Sequence, residues 1–317
     1  MIDPFGREIN YLRVSVTDLC NLRCRYCMPE DGVEKKSHMD MLREEEYLMA
    51  ISAAASLGIK KIRITGGEPL IKKDIVSICD HAHNVAGIDE VCITTNGILL
   101  PRFAKDLKTA GVSRINISLD TLDSEKYHYI TRTGELKDAL EGLETALDTG
   151  FKKIKVNAVL IGGFNDDEIP ELCKLTLKYP VDMRFIELMP MPGEFNFDDK
   201  AYIPGKTVLE KMPELIPEPH DGGVATLFKL PNALGRVGLI NPISAHFCGS
   251  CNRLRLMSDG TIKPCLHTST EHSIKGLDYQ GIKQAFIDAI MNKPARHPDL
   301  SKSTPSQSIR NMNEIGG

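Results

Sequence analysis

Six of the nine cysteines fall into two close groups, Cys20, Cys24 and Cys27, then Cys248, Cys251 and Cys265. Thiolates at such spacings hold soft metals. The first group has three and then two intervening residues and no neighbouring histidine. Zinc would want a fourth ligand, so a three-thiolate loop suits an iron-sulfur cluster with one iron left open, and an open coordination position is where chemistry occurs. A structural metal with a distant fourth ligand is the competing reading. In the second group Cys248 and Cys251 enclose two residues and Cys265 follows after thirteen, with His246 and His267 alongside. A zinc site of three cysteines and one histidine and a second cluster both remain open for it. Arg253 and Arg255 alternate with Leu254 and Leu256 as a strand would, which brings positive charge beside that metal. Cys79, Cys92 and Cys173 stand alone in apolar-patterned segments and read as small buried hydrophobes.

A second set of chemical residues lies inside strand-like runs. Arg13, Ser15 and Thr17 alternate with Leu12, Val14 and Val16; Arg63 and Thr65 alternate with Ile62 and Ile64. The pattern returns with Asn116, Ser118 and Asp120, with Lys155 and Asn157, and with Arg184 between Met183 and Phe185. A charge without a partner in a dry interior costs several kcal/mol, roughly. Basic residues on one parity of successive strands therefore point to a wet cavity holding an anion, phosphates being the natural partners of Arg and Lys. Edge positions and simple ion pairs are the bland alternative.

Six short β-rich runs carry these residues: 11–17, 61–65, 90–94, 113–118, 153–160 and 182–187. Each is followed by a loop and mostly by a helix, the signature of βα units around a parallel sheet. Leu136, Ala139, Leu140, Leu143, Ala146 and Leu147 keep helical spacing up to Gly150. Further helices are expected over 42–57, 72–85, 166–178 and 281–291, and a hairpin around Ser258, Asp259 and Gly260. The rhythm breaks near Pro192. The expected fold is α/β, an incomplete (βα)6 TIM-type barrel over 1–215 with a C-terminal segment, 216–317, closing the open side. The polar tail from His297 is expected to be mobile. The distinctive residues follow the strands, where α/β barrels place function: the first cysteine loop, Gly66 to Pro69, Asn96 and Gly97, Asp120, and Glu187 to Pro190.

Composition narrows the classes. Lys plus Arg number 39 against 43 Asp plus Glu, a net charge of −4, so no bulk positive field exists to hold nucleic acid or an anionic membrane. Hydrophobic residues at 42% and charged residues at 26% exclude disordered, collagenous and coiled-coil chains. No apolar run approaches the ~18 residues of a membrane span, and the N-terminus has no leader pattern, so a cytoplasmic protein is expected.

The stretch RVSVTDLCNLRCRYCMP resembles the cysteine loop of the radical S-adenosylmethionine (SAM) enzymes. With GGEP, TTNG, NISLD, RFIELMP, FCGSCNRLRLMSDGTIKPCL and the terminal IGG, the chain resembles the GTP-cyclising family of that group, which opens molybdenum-cofactor biosynthesis. The likeness is weakest over 193–236. It implies that Cys20, Cys24 and Cys27 hold a 4Fe-4S cluster that chelates SAM, and that Cys248, Cys251 and Cys265 hold a second one at the guanine end of GTP, against the zinc reading. It implies SAM contacts at Tyr26, Gly67, Ser118 and Met189, with glycine at 67 because the ligand approaches closely. GTP contacts are implied at Arg13, Arg63, Thr94, Lys155, Arg184, Arg253 and Arg255, and a catalytic role for Gly316 and Gly317 at the end of a tail threaded into the cavity. The implied reaction is abstraction of the ribose C3′ hydrogen of GTP by a 5′-deoxyadenosyl radical and closure on purine C8. The implied partners are a low-potential electron donor of flavodoxin or ferredoxin type, cyclic pyranopterin monophosphate synthase downstream, and a second copy in a homodimer, with no nucleic acid and no membrane. The rivals are a peptide-modifying radical enzyme with auxiliary clusters and an iron-sulfur electron carrier or redox sensor.

Overall fold

The computed structural model describes residues 1–34, 37, 39–192, 200–301 and 303–316. The elements in chain order are β1 (Tyr11–Ser15), α1 (Glu44–Ser56), β2 (Lys61–Thr65), α2 (Ile75–Asn84), β3 (Glu90–Thr95), α3 (Leu100–Thr109), β4 (Val112–Ser118), α4 (Ser124–Thr131), α5 (Leu136–Asp148), β5 (Ile154–Leu160), α6 (Ile169–Lys178) and β6 (Val181–Glu187). There follow α7 (Lys206–Lys211), β7 (Ile216–Pro217), β8 (Thr226–Lys229), β9 (Val237–Ile240), β10 (Arg253–Leu256), β11 (Thr261–Lys263), β12 (His272–Ser273), α8 (Tyr279–Met291) and α9 (Met312–Ile315).

The strands form one sheet in the order β12-β11-β10-β1-β2-β3-β4-β5-β6-β9-β8-β7. β1 to β6 are parallel neighbours in sequence order, as right-handed βα crossovers require. C-terminal hairpins extend both edges: β10 runs parallel to β1 and β9 parallel to β6. Among the described residues no helix is long and apolar enough to cross a membrane.

One parity of each inner strand builds the core. Leu12, Val14, Ile62, Ile64, Val91, Ile93, Ile115, Ile117, Ile154, Val156, Met183 and Phe185 pack beneath the apolar faces of the helices. Burying each such side chain contributes about 1.5–3 kcal/mol. The other parity forms a polar face, which curves strongly. On a flat sheet β2 and β6 would lie roughly 19 Å apart at ~4.8 Å per strand. Yet Arg63 of β2 helps to hold the guanidinium of Arg184 of β6 at about 10, an effect caused chiefly by burial.

The expected runs agree with β1 to β6 to within two residues, and the hairpin at Ser258 to Gly260 is the β10–β11 turn. Three expectations need correction. The tail after His297 is docked: Ser306 N–H donates to Pro190 O at 2.9 Å, Gln307 N–H to His267 O at 3.1 Å, and Ile315 is fully buried. Its polar residues serve as hydrogen-bond partners, a role composition does not reveal. Cys79, Cys92 and Cys173 are all fully buried as expected, but only Cys79 and Cys173 pack in the apolar core; Cys92 lies on the parity of the polar face, in register with Arg63 and Arg114. Gly67 owes its identity to the chain itself, because a Cβ there would lie 2.2 Å from Leu19 O. Gly317, and residues 193–199 of the weakly matching region, lie outside the described residues.

Candidate functional site

The polar face is built in layers by strand register. Arg13 is the Cα partner of both Arg63 and Arg255, so three guanidiniums stand side by side on β10, β1 and β2. Burial first, then repulsion by Arg255 and Arg63, holds Arg13 well below the usual arginine range. Burial and Arg253 hold Arg255 at about 10. Arg63, Arg253 and Lys61 also surround the Tyr11 ring, with cations 5.4, 5.9 and 5.0 Å from its centroid. With its amide oriented to satisfy its neighbours, Asn116 accepts from Arg63 at 3.0 Å and from Thr94 at 3.3 Å. Across the curve, Asn116 is in register with Lys155 and Asn157 with Arg184.

Such crowding is unfavourable without an anion. The Nε of Arg63 and the Nε and Nη2 of Arg184 are buried without a hydrogen-bond partner among the described residues. Buried donors of this kind cost about 1–3 kcal/mol each, which a bound polyphosphate would recover. All six basic strand residues expected from the sequence, Arg13, Arg63, Lys155, Arg184, Arg253 and Arg255, thus share this face. Tyr11 and Arg114 join them unexpectedly. Both sit on the same alternating parity, the signal that could have found them.

The two cysteine groups lie at opposite ends of this face. Cys20, Cys24 and Cys27 follow the C-terminal end of β1; Cys248 and Cys251 precede β10, which runs parallel to β1, so they lie at the opposite end. Five strand residues separate the two levels by roughly 16 Å. Cys265 returns to the same end through the antiparallel β11, and Lys293 lies within electrostatic reach of both Cys251 and Cys265.

The donor sets suit clusters. A three-thiolate set can spread over separate irons of a cluster and leave one iron open, whereas a single zinc ion would draw four ligands onto one point. Burial pushes the Cys20 thiol up to about 11, Cys27 to about 12 and Cys24 well above its ordinary range, so the first loop needs cationic irons to hold it as thiolates. Burial also acts on Cys251, but Lys293, Arg253 and Arg255 outweigh it and hold that thiol below its ordinary value. Arg7 donates to Cys248 O at 2.9 Å and fixes the loop from the N-terminus. His267 is engaged elsewhere: its Nδ1 is 3.2 Å from Ser306 Oγ and its ring packs against His297.

Around the first loop, Gly66 and Gly67 turn tightly against residues 17–19, with Gly67 N–H donating to Thr17 O at 2.7 Å. Tyr26 donates its hydroxyl to Asp120 at 2.6 Å, at the end of β4 beside Ser118. Glu68 accepts from Leu70 N, Thr95 Oγ1 and Asn96 N, binding the second and third strand loops together. Glu187 accepts from the backbone of Gly205, Ile243 and Ser244, which ties the Met189 segment to the approach to Cys248. The tail closes the arrangement. Arg310 binds Asp259 at 2.6 Å and Glu271 at 2.7 Å, Asn313 donates to Asp18 O at 3.0 Å, and Arg255 donates to Gly316 O at 2.9 Å. A Cβ on Gly316 would lie 2.4 Å from Thr65 Cγ2.

Comparisons with known proteins agree with this chemistry. The Radical SAM superfamily matches residues 14–176 and Molybdenum Cofactor Synthesis C matches residues 181–299. The chain is 47% identical over 323 residues to a GTP 3′,8-cyclase of Alkaliphilus oremlandii, covering 100% of both chains. It is 47% identical over 322 residues to one of Peptoclostridium acidaminophilum, covering 100% of this chain and 98% of that one. Among solved structures it is similar to SuiB of Streptococcus suis, with a TM-score of 0.62 at 17% identity over 82% of this chain and 61% of that one. It is also similar to anSMEcpe with bound AdoMet, with a TM-score of 0.59 at 14% identity over 92% and 82%.

Proposed function

The chain belongs to the GTP 3′,8-cyclase family of radical SAM enzymes, which carries out the first step of molybdenum-cofactor biosynthesis; from that premise we propose which of its residues do the work. Cys20, Cys24 and Cys27 hold the SAM-binding 4Fe-4S cluster, and Cys248, Cys251 and Cys265 hold the second. When bound, the first cluster and SAM supply the 5′-deoxyadenosyl radical that takes hydrogen from ribose C3′ of GTP, whose carbon then closes on C8.

The protein's own part is binding, orientation and exclusion of water. Arg13, Arg63, Lys155, Arg184 and Arg255 take the triphosphate, which carries roughly four negative charges, with Thr94 and Arg253 completing the contacts. Guanine then reaches the second cysteine group and ribose faces the first. Gly67, Tyr26, Ser118 and Met189 line the SAM end. Gly316 and Gly317 are assigned a catalytic role, and a side chain at 316 would strike Thr65. The single observation that carries this assignment is the in-register row Arg255, Arg13, Arg63 lying between the two cysteine groups.

The curved six-strand parallel sheet is read as an incomplete (βα)6 barrel, with residues 216–317 as the closing region. Nine cysteines, six of them assigned as cluster thiolates, favour a reducing cytoplasm. A flavodoxin- or ferredoxin-type donor, cyclic pyranopterin monophosphate synthase as the next enzyme, and a homodimer complete the reading. The test is anaerobic reconstitution to about eight irons, followed by SAM, a low-potential reductant and GTP. 5′-Deoxyadenosine should form in step with GTP loss; SAM cleavage indifferent to GTP would contradict the reading.

A further inference from the structure

A carboxylate stands in the basic face where a triphosphate is to bind. Asp182 begins the polar parity of β6 and is the register partner of Lys155. Its oxygens lie 3.8 Å from Lys155 Nζ and 3.9 Å from Arg184 Nη2. Its short bonds come from elsewhere: Arg236, just before β9, donates Nε to Oδ1 at 3.1 Å and Nη2 to Oδ2 at 2.8 Å. Arg236 in turn reaches Asp221, ahead of β8, at 3.4 Å. Next along β9, Gly238 is the register partner of Arg184, which sets the hairpin beside that residue.

A lone carboxylate here would repel phosphate. This one is held two-pronged by Arg236, and the longer contacts of its Oδ2 reach two residues read as phosphate contacts. We propose that Asp182, clamped by Arg236, is a positioning residue that keeps Lys155 protonated and aims Lys155 and Arg184 at the phosphates of GTP. The proposal rests on the reading of those two residues as GTP contacts. It assigns a role to the β8–β9 hairpin, within the stretch whose sequence likeness is weakest.

The groups facing Lys155 are Arg184 and Asp182 from β6, Arg114 from β4 and Asp221 from the loop before β8. Burial, then Arg184 and Arg114, bring the Lys155 ammonium down to about 7, while Asp182 and Asp221 oppose them. A lysine with a lowered pKa is charged below that value and neutral above it. GTP affinity should therefore fall as pH rises through about 7. Removing the Asp182 charge moves that fall to lower pH. Freeing Asp182 from Arg236 lets it pair directly with Lys155 and moves the fall to higher pH.

The test is equilibrium GTP binding to the reconstituted protein without SAM or reductant, between about pH 6 and 8.5 (spanning one to two units about the lysine midpoint). Asp182→Asn should shift the alkaline fall down by about one unit, the lower end of what a charge within 4–6 Å does, with binding about tenfold weaker near pH 8. Arg236→Gln should shift it upward. Lys155→Arg, charged throughout, should abolish it. Unchanged midpoints in Asp182→Asn and Arg236→Gln, or tighter GTP binding in Asp182→Asn, would overturn the proposal. If Lys155→Met leaves GTP affinity intact, the reading of Lys155 as a phosphate contact fails instead. If Asp182→Asn does not fold, the upward shift in Arg236→Gln still decides.

Discussion

Arg13 and Arg255 face each other across adjacent parallel strands β1 and β10, Cα partners in register although 242 positions apart in the sequence numbering. Their like charges disfavour the ligand-free fold and favour an anion, so binding and stability should respond in opposite senses. Arg13→Met should weaken GTP binding roughly ten- to hundredfold, the worth of a charge-assisted hydrogen bond of about 1.5–3 kcal/mol. The same variant should melt at a higher temperature than the parent without GTP, since apolar replacement of buried charge is commonly neutral or stabilising. Calorimetry with and without GTP checks both. A lower melting point with unchanged affinity would mean that Arg13 is structural.

Replacing Cys20, Cys24 and Cys27 together by alanine should lower iron from about eight to about four per chain and abolish SAM cleavage. Replacing Cys248, Cys251 and Cys265 should leave the same residual iron and a SAM-cleaving centre no longer coupled to GTP. Metal analysis distinguishes this from a structural zinc: zinc in stoichiometric amount at either group refutes the cluster assignment there.

Much of this was legible in the strands. The alternation of Arg13 with Val14 and of Lys155 with Val156 marks a two-faced strand because side chains alternate strictly about the backbone, and each cysteine loop is local. In the C-terminal region the strand at Arg253–Leu256, the hairpin after it and the last long helix are legible from local pattern as well, but the placement of those elements is not. β10 has four residues and, besides its local hairpin with β11, joins the sheet by pairing with residues 11–14 of β1, and a contact of that sequence separation leaves no trace in local periodicity. α3 is not among the expected helices; Pro101 lies in its first turn, where proline is tolerated. Arg310 lies in a stretch whose composition reads as a loose tail, and its partners Asp259 and Glu271 are 51 and 39 positions away in the sequence.

Gly142 sits inside α5, where alanine ordinarily gains about 1 kcal/mol. Here a Cβ would lie 2.1 Å from Gly97 O, the carbonyl of the loop after β3. Gly142→Ala should therefore destabilise the protein by about 1–3 kcal/mol, the cost of overpacking, in denaturant unfolding. A stabilised variant would show that this loop yields easily.

Arg310→Ala removes the ion pairs that anchor the tail before α9. Cyclase activity should fall about as far as it does on deletion of residues 316–317, while iron content stays near the parent's. Full activity would mean that α9 and the Asn313 contact to Asp18 suffice to hold the tail.

The most direct test of a nucleotide lying between the two cysteine groups, ribose toward the SAM end, uses GTP deuterated at ribose C3′. Turnover by the reconstituted enzyme should give 5′-deoxyadenosine one mass unit heavier by mass spectrometry. Unlabelled 5′-deoxyadenosine formed alongside consumption of the labelled GTP would contradict the placement of substrate on which the account depends.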